Sequence, residues 1–522
     1  MTLHVRGTLV TVGALAIGTG RPDVRSDQPV LADQRGRPVI PGSSLAGALR
    51  AAAVRVLDGA TVERLMGPAT IAGPGDAERS AVSVHDAVLD MPVQAVLPRQ
   101  LRQHVGIDRE RLAARDAIKF DRETWPLGMR FRLALDLDDD GHGDVEGGLL
   151  HALQLSLAEL AGPRGGIGSG RCAVSIEGLT VHRPAGADAL RAAAARRWEH
   201  PTEPEPVGEA IPVDHPMRDP MPKVDGDPSA PTVAVELVLT LRTLTPLLVR
   251  EPRSPFEQAE DNVPFSVHRV EGSDGARTVV RRPAIPGDSL LGVIRQRAER
   301  ALALAGVEGG DPFADATSGA RRIDHPVLRT FGLVGSAEES ASGAVRVEDA
   351  VLVDREEGDG VWRDDVAARD QRWAVVRPRV RIDRLTSAPL GSGKFDDMAL
   401  SEGRDLEVRI TVAPSGRPFE DLDLALVAIG LRDVVAGAAG VGGSVRSGYG
   451  TLGLVGGSLV EHVGSGSEDD RSTRTLPPVD LRSDGPDAAE VATGISWGAR
   501  WGARLDAAWR EATGREATGG AR

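Results

Sequence analysis

Arg37-Pro-Val-Ile-Pro-Gly-Ser-Ser-Leu-Ala-Gly-Ala-Leu-Arg50 returns later in the chain as Arg282-Pro-Ala-Ile-Pro-Gly-Asp-Ser-Leu-Leu-Gly-Val-Ile-Arg295. Each copy reads as a short apolar strand end, a Pro-Gly turn, a Ser or Asp suited to cap a helix, and then apolar residues at helical spacing. Those residues are Leu45, Leu49, Ala53 and Val56 in the first copy and Leu290 and Ile294 in the second. The chain is expected to turn there from strand to helix, twice.

Other landmarks recur in the same order. Leu65-Met66-Gly67 is answered by Thr330-Phe331-Gly332, and Val84-His85-Asp86-Ala87-Val88-Leu89 by Val347-Glu348-Asp349-Ala350-Val351-Leu352. Val105-Gly106-Ile107-Asp108-Arg109 is answered by Val380-Arg381-Ile382-Asp383-Arg384. Gly165-Gly166-Ile167-Gly168-Ser169-Gly170 is answered by the glycine-rich stretch Gly442 to Gly450. Units of this size exceed any solenoid repeat, so the sequence reads as a duplicated domain.

Composition narrows the class. The 522 residues suit two large domains with a linker and a tail. At 41% hydrophobic but 3% aromatic, the cores are built from Leu, Val, Ile and Ala. The single cysteine, Cys172, excludes an internal disulfide framework and a cysteine-rich zinc site. No apolar run approaches the ~20 residues that span a bilayer, and the N-terminus lacks a signal-peptide core, so a cytoplasmic protein without a membrane partner is expected.

The net charge of −14, from 62 Lys+Arg against 76 Asp+Glu, argues at face value against nucleic acid. Locally the picture differs. Arg99, Arg102, Arg109, Arg111, Arg115, Lys119, Arg122, Arg130 and Arg132 crowd one stretch, and Arg372, Arg377, Arg379, Arg381, Arg384 and Lys394 the matching stretch of the second copy. Two equivalent electropositive elements in an acidic body are the pattern of a local polyanion contact.

Taken in order, strands and helices interleave with hairpin-like strand pairs, and an α+β fold of ferredoxin-like type fits best. Residues 1–184 form the first domain, and 185–231 a helix (185–198) followed by a Pro-rich acidic linker. Residues 232–460 form the second domain and 461–522 a tail: a flexible spacer over 463–493, then a helix. Trp497, Trp501, Leu505 and Trp509, four apart, would share one face of that helix, most simply docked on its own domain.

This series of landmarks resembles the RAMP superfamily of CRISPR-associated proteins. Both halves look like the Cas-seven-type backbone subunits of type III effector complexes, fused in tandem. The resemblance implies two ferredoxin-like (RRM-like) domains, each with a thumb-like β-hairpin insertion. It also implies CRISPR RNA, complementary target RNA and other effector subunits as partners. The basic stretches match the thumbs, and arginine neutralises phosphates without reading sequence. Arg102, Arg109, Arg379, Arg381 and Arg384 are the contacts expected there.

The family's target cleavage depends on an Asp in the loop before the opening helix. Ser26-Asp27-Gln28-Pro29-Val30 matches that motif, and Glu260-Asp261-Asn262-Val263-Pro264 is the nearest equivalent in the second copy. Asp27 and Asp261 are therefore the expected catalytic residues, holding a divalent ion, Mg2+ or Mn2+, near the scissile phosphate or orienting a 2′-hydroxyl. Where the family commonly carries a Lys after the Leu of the helix start, this chain has Ala46 and Leu291. Arg50 and Arg295 lie one turn further on, and the helix start at Ser43 and Ser44 could offer amides to a phosphate.

Gly166, Gly168 and Gly443, with Arg171 and Arg446 beside them, could cradle phosphate; they lack the Gly-Lys-Ser/Thr ending of a P-loop. His85-Asp86 is read as an incidental His beside a duplicated Asp. Asp136-x-Asp138-x-Asp140-Gly141 reads as an acidic turn, because its twelfth position is Gly147 rather than Glu. The expected activity is metal-dependent cleavage of target RNA. The rivals are a non-catalytic scaffold that binds guide RNA, and a metal-independent guide-processing endoribonuclease.

Overall fold

The computed structural model describes residues 2–69, 79–90, 97–108, 113–138, 148–168, 172–183, 209–212, 231–251, 262–272, 277–307, 325–333, 341–354, 356, 358–414, 416–464, 473–475, 479–483 and 495–514. In the first unit the chain runs strand Thr2–Thr11, helix Gly42–Val56, short strands Val82–Val84 and Ala87–Leu89, strand Arg130–Asp138, helix Leu149–Ala161 and strand Val174–Arg183. Strand Thr2–Thr11 lies between Arg130–Asp138 and Val174–Arg183, and the two short strands pair with the far side of Arg130–Asp138, all antiparallel. That is the ferredoxin-like order.

The second unit repeats it with Thr232–Thr243, Gly287–Leu304, Val345–Val347, Ala350–Leu352, Asp405–Val412, Asp421–Val435 and Leu452–Gly464. Thr232–Thr243 again takes the centre of the sheet. In each unit a two-stranded hairpin is inserted before the third core strand: Gln100–Asp108 with Ala113–Thr124, and Ala374–Ile382 with Pro389–Leu400.

Period-2 burial builds each sheet face and period-3.6 burial each helix face. Leu3, Val5 and Leu9 point inward with Leu133, Leu135 and Leu137, and receive Leu45, Leu49, Ala53 and Val56 from the opening helix and Leu153, Leu157 and Leu160 from the second. Leu237, Leu239 and Leu241 meet Leu290, Ile294, Leu424 and Leu431 in the same way.

Three expectations are corrected. The helix start has Pro41 or Pro286 as its N-cap residue, with no side-chain cap from Ser43 or Asp288. The Val84 to Leu89 segment is two short strands broken at His85-Asp86. The spacer over 463–493 contains strands Thr473–Thr475 and Val479–Ser483, which extend the second sheet, and Leu481 is buried. The helix expected over 185–198 lies outside the described residues.

The tail forms helix Gly498–Thr513. Trp501 and Leu505 are buried in the second core, with Trp497 and Trp509 packed at its edge. Arg504 anchors it to Asp421 and Glu461. Its stripe is thus a core face. Trp501→Ala should cost about 3–5 kcal/mol of the second unit's stability, visible as a lowered Tm, while half-buried Trp509→Ala costs less.

The units are joined through backbone as well as side chains. The Leu127 amide donates to the His268 carbonyl at 2.9 Å and the Val270 amide to the Leu127 carbonyl at 2.9 Å. Leu127, Phe265, Val267, Ala284 and Val351 form an apolar cluster across the junction. Burial, then the neighbouring Arg281, pushes the His268 imidazole down to about 4. Its ordinary value is ~6.5, so between those two values the unfolded chain takes a proton that the fold refuses. The stability it contributes is complete above pH ~6.5 and lost as pH falls toward 4. Allowing for solvent screening, the loss is roughly 1–2 kcal/mol. His268→Gln should flatten that part of the Tm-versus-pH curve.

Candidate nucleic-acid interface

The helix starts are shaped by a steric constraint. A Cβ on Gly42 would lie 2.3 Å from the Val84 carbonyl oxygen, and one on Gly287 2.1 Å from that of Val347. Only glycine lets the turn lie on the short strand. From that strand's break a carboxylate reaches back: the Gly42 amide donates to Asp86 at 2.7 Å and the Gly287 amide to Asp349 at 2.9 Å. The duplicated Asp is thus the helix cap, supplied from across the sheet, and it already occupies the first amide of the helix start. Beside it in the first unit opens a cleft of about 300 Å³ lined by Ser43, Ala46, Arg50, Ser80 and Val84. Ser43 is exposed and Ser44 half-buried.

Arg50 and Arg295 are engaged within the fold. Arg50 donates to the carbonyls of Met66 and Gly67 at 2.5 and 2.7 Å. Arg295 donates to the Gly332 carbonyl at 2.9 Å and pairs with Glu299. Each closes the C-terminal end of the short helix that precedes the Gly, which explains why those landmarks recur together.

Asp27 is exposed in the loop before the opening helix, fastened to the return strand of the first hairpin. The Asp27 amide donates to the Asp121 carboxylate at 2.8 Å, and the Asp121 amide to the Asp27 carboxylate at 3.0 Å. Gln28 makes a parallel bridge with Arg122, and Arg122 donates to its side chain at 2.7 Å. Two carboxylates therefore meet at the hairpin base, each using one oxygen on the other's amide. A divalent ion could take the other oxygens and fill its shell with water and phosphate, as Mg2+ prefers. Among the described residues no group of three His, Cys, Asp or Glu is arranged to hold a metal. Asp261 lies outside the described residues, but its neighbour Asn262 forms the same parallel bridge, to Asp397, that Gln28 forms to Arg122.

The hairpins differ in what they touch. On the first, Arg102 pairs with Asp349 of the second unit at 2.7 Å and lies 5.2 Å from the Phe265 ring. Gln100 donates to the Ser266 carbonyl, and His104 meets Asp288 at 3.3 Å. Arg102, expected on RNA, is a junction residue. On the second hairpin Arg379 pairs with fully buried Asp397 at 2.9 Å and stacks on Tyr449. Further out, Arg381 lies over Phe395, Arg384 is exposed, and Leu385 is 96% exposed with Val380, Ile382 and Leu390 also accessible. Asp383 caps the tip, accepting from the amides of Leu385 and Thr386 at 2.8 and 2.9 Å, and those bonds hold its carboxyl below the usual range. Cations and unsheathed aliphatic side chains on one surface suit phosphate and base faces together.

The glycine loops press on the segments following the first core strands. Gly442 has φ 91°, and a Cβ there would lie 2.6 Å from the Leu248 oxygen, whose carbonyl also accepts from the Gly443 amide at 2.7 Å. Gly168 sits likewise over Ala16. In the first loop, just before Gly166, Arg346 of the second unit donates to the Gly165 and Pro163 carbonyls at 2.8 and 3.2 Å. Arg446 is exposed in a short turn. Arg109 and Arg171 lie outside the described residues.

His85 is not incidental. His4 and His85 each contact the Asp136 carboxylate at 2.7 Å, and Arg6 does so at 3.0 Å. Burial raises that carboxyl's pKa, but the bonds from His4, His85 and Arg6 outweigh it and drive it far below the usual range. The signal missed in the sequence was the register, which sets His4 opposite Asp136.

A family model described as the RAMP superfamily matches residues 8–173 and 240–453, one match on each unit. No curated protein matches the chain. Among the described residues no helix is long and apolar enough to cross a membrane.

The two capping carboxylates should differ in weight. Asp349→Ala strands both the Gly287 amide and a largely buried Arg102 and should cost about 3–5 kcal/mol. Asp86→Ala loses only a cap, about 1 kcal/mol. Denaturant unfolding of the two variants measures the difference; equal costs would refute the junction's role.

Proposed function

The chain belongs to the RAMP superfamily of CRISPR-associated RNA-binding proteins, and on that premise we propose that it is a backbone subunit of a type III effector complex. In this reading it holds CRISPR RNA along the two units and cuts complementary target RNA beside Asp27. The observation that carries it is the Asp27–Asp121 carboxylate pair, fixed by reciprocal amide bonds at the base of a hairpin.

Each element has a task. The exposed arginines of the second hairpin neutralise phosphates, and Leu385 at its tip can press against a base edge or displace a base. The cleft at Ser43 accepts backbone near the helix start. Asp27, held in place by Asp121, orients a 2′-hydroxyl or the scissile phosphate for in-line attack. A divalent ion on the remaining carboxylate oxygens would supply charge stabilisation for the phosphate. Asp261 is proposed to play the same part in the second unit, next to the Asn262 bridge.

The assembled complex, loaded with a defined guide and labelled complementary RNA, tests this with and without Mg2+ or Mn2+. Asp27→Ala should reduce cutting at one position by roughly 10²-fold or more while target binding persists. Asp261→Ala should remove a separate cut. Binding without cutting by wild type, with metal present, leaves the scaffold reading standing. Independently, Arg381→Ala and Arg384→Ala should each lower the log–log salt slope of single-strand RNA binding by about 0.7.

A further inference from the structure

The loops that precede the two opening helices are fastened to their hairpins at the same level but by opposite chemistry. We propose that Glu123 is a positioning residue of the Asp27 site. It locks the Asp27 loop through a charged contact that the second unit replaces with an apolar one, so that, on the cleavage reading it rests on, the two cuts are controlled separately.

Backbone pairing aligns the two locks residue by residue. The Glu123 amide donates to the Gln28 carbonyl at 3.0 Å, and the Met398 amide to the Asn262 carbonyl at 2.9 Å. The Trp125 amide donates to the Leu15 carbonyl at 2.9 Å, and the Leu400 amide to the Leu247 carbonyl at 2.8 Å. Val30 bridges Gly18 as Pro264 bridges Arg250. Glu123 thus answers to Met398, Trp125 to Leu400 and Val30 to Pro264. Ala374 faces Leu400 across the second hairpin, and Arg99, the residue before Gln100, holds the same place beside Trp125.

In the first unit these positions form a polar lock. Asp121 and Glu123, two apart on one strand, project from the same face. Asp121 takes the Asp27 amide at 2.8 Å and Glu123 the Val30 amide at 3.2 Å. The Glu123 side chain is 7% exposed, and its charge faces Arg99 at 3.7 Å. Arg99 in turn lies 5.1 Å from the centre of the Trp125 ring, whose indole N–H donates to the Leu31 carbonyl at 3.1 Å. A carboxylate this withdrawn from water must be met by donors, and removing it strands both an amide and a guanidinium.

In the second unit Pro264 has no amide hydrogen to offer, Met398 no carboxylate to receive it and Ala374 no charge. Met398 and Leu400 are fully buried and share the second core with Val263. Donor, acceptor and counter-charge have left together, so the four positions behave as one device. Glu123 is buried and acts only through the loop it holds.

One labelled target that spans both proposed cuts supplies an internal control in the assembled complex. At saturating target, Glu123→Ala should slow the cut beside Asp27 by about tenfold or more, with target affinity and the Asp261 cut as in wild type. Transplanting the second unit's lock, Val30→Pro with Arg99→Ala and Glu123→Met, should restore most of that rate, which a generally damaged fold would not do. A second readout needs neither RNA nor cleavage. Trypsin acting on the full chain at the Arg25–Ser26 bond reports opening of the loop, because Ser26 is buried. Wild type and the transplant should resist, and Glu123→Ala should be nicked there. A loop that stays closed in Glu123→Ala, an opened loop that still cuts at the wild-type rate, or equal slowing of both cuts overturns the proposal. If wild type binds target and cuts nowhere, the cleavage reading fails by itself, and nicking of Glu123→Ala with the transplant resistant still establishes the lock. Should Glu123→Ala fail to fold, Glu123→Gln, which keeps an acceptor for Val30 and removes the charge facing Arg99, is judged by the same outcomes.

Discussion

The amide of Gly287 and the guanidinium of Arg102 converge on one carboxylate, Asp349, which is almost withdrawn from water. A buried charge is tolerated only when its hydrogen-bonding capacity is met. Here one donor comes from the helix start of the second unit and the other from the hairpin of the first. Local folding and domain joining thus depend on the same atom group. The Cβ-free glycine that lets the turn approach the strand is what brings the amide within reach, so steric fit precedes the electrostatics.

Duplication makes the unpaired positions informative. Equivalent residues of the two units share backbone roles, yet among the described residues only one capping Asp is covered, and only one hairpin is held at its base by the other unit. The first hairpin commits Arg102 and His104 to contacts with Asp349 and Asp288 of the second unit. The second keeps its outer cations and aliphatic side chains in solvent, and confines its inner arginine to Asp397 and Tyr449. An acidic chain is compatible with local cationic surfaces of this kind, because net charge averages over the whole molecule; elsewhere arginines are held in internal bridges such as Arg282 with Glu271 and Asp354.

The sequence made the fold legible where a feature was both local and repeated. Strand alternation, the helical spacing of Leu45, Leu49, Ala53 and Val56, and the order of landmarks all carry through to the fold. It was silent where the partner lay far along the chain. Nothing local says that Asp86 caps Gly42, or that Arg102 seeks a residue 247 positions away. Arg50 reads as a phosphate ligand until Met66 and Gly67 are seen beneath it. Leu481 escaped because a polar segment with few apolar residues resembles a spacer, although a single buried Leu and a strand pairing suffice to join it to the sheet. At the candidate site, the loop Asp was visible as a motif but its carboxylate neighbour Asp121 was not, since their contact is set by tertiary register.

Under the proposed cleavage reading, fastening the units at Leu127, Arg102 and Arg346 has a functional consequence. A carboxylate that acts on a phosphate must be held to within a fraction of an ångström, and a loop alone does not hold it. Asp27 is positioned by the first hairpin, and the first hairpin is positioned by the second unit. Any guide or target strand laid across both units therefore meets a loop whose placement is set by the neighbour it is already touching. Rigidity at the junction becomes precision at the loop. The same logic explains why the contact is built from a covered ion pair, a carbonyl-holding arginine and an apolar cluster together. The covered ion pair is specific in register, the apolar cluster is withdrawn from water, and the arginine holds the glycine loop from the side.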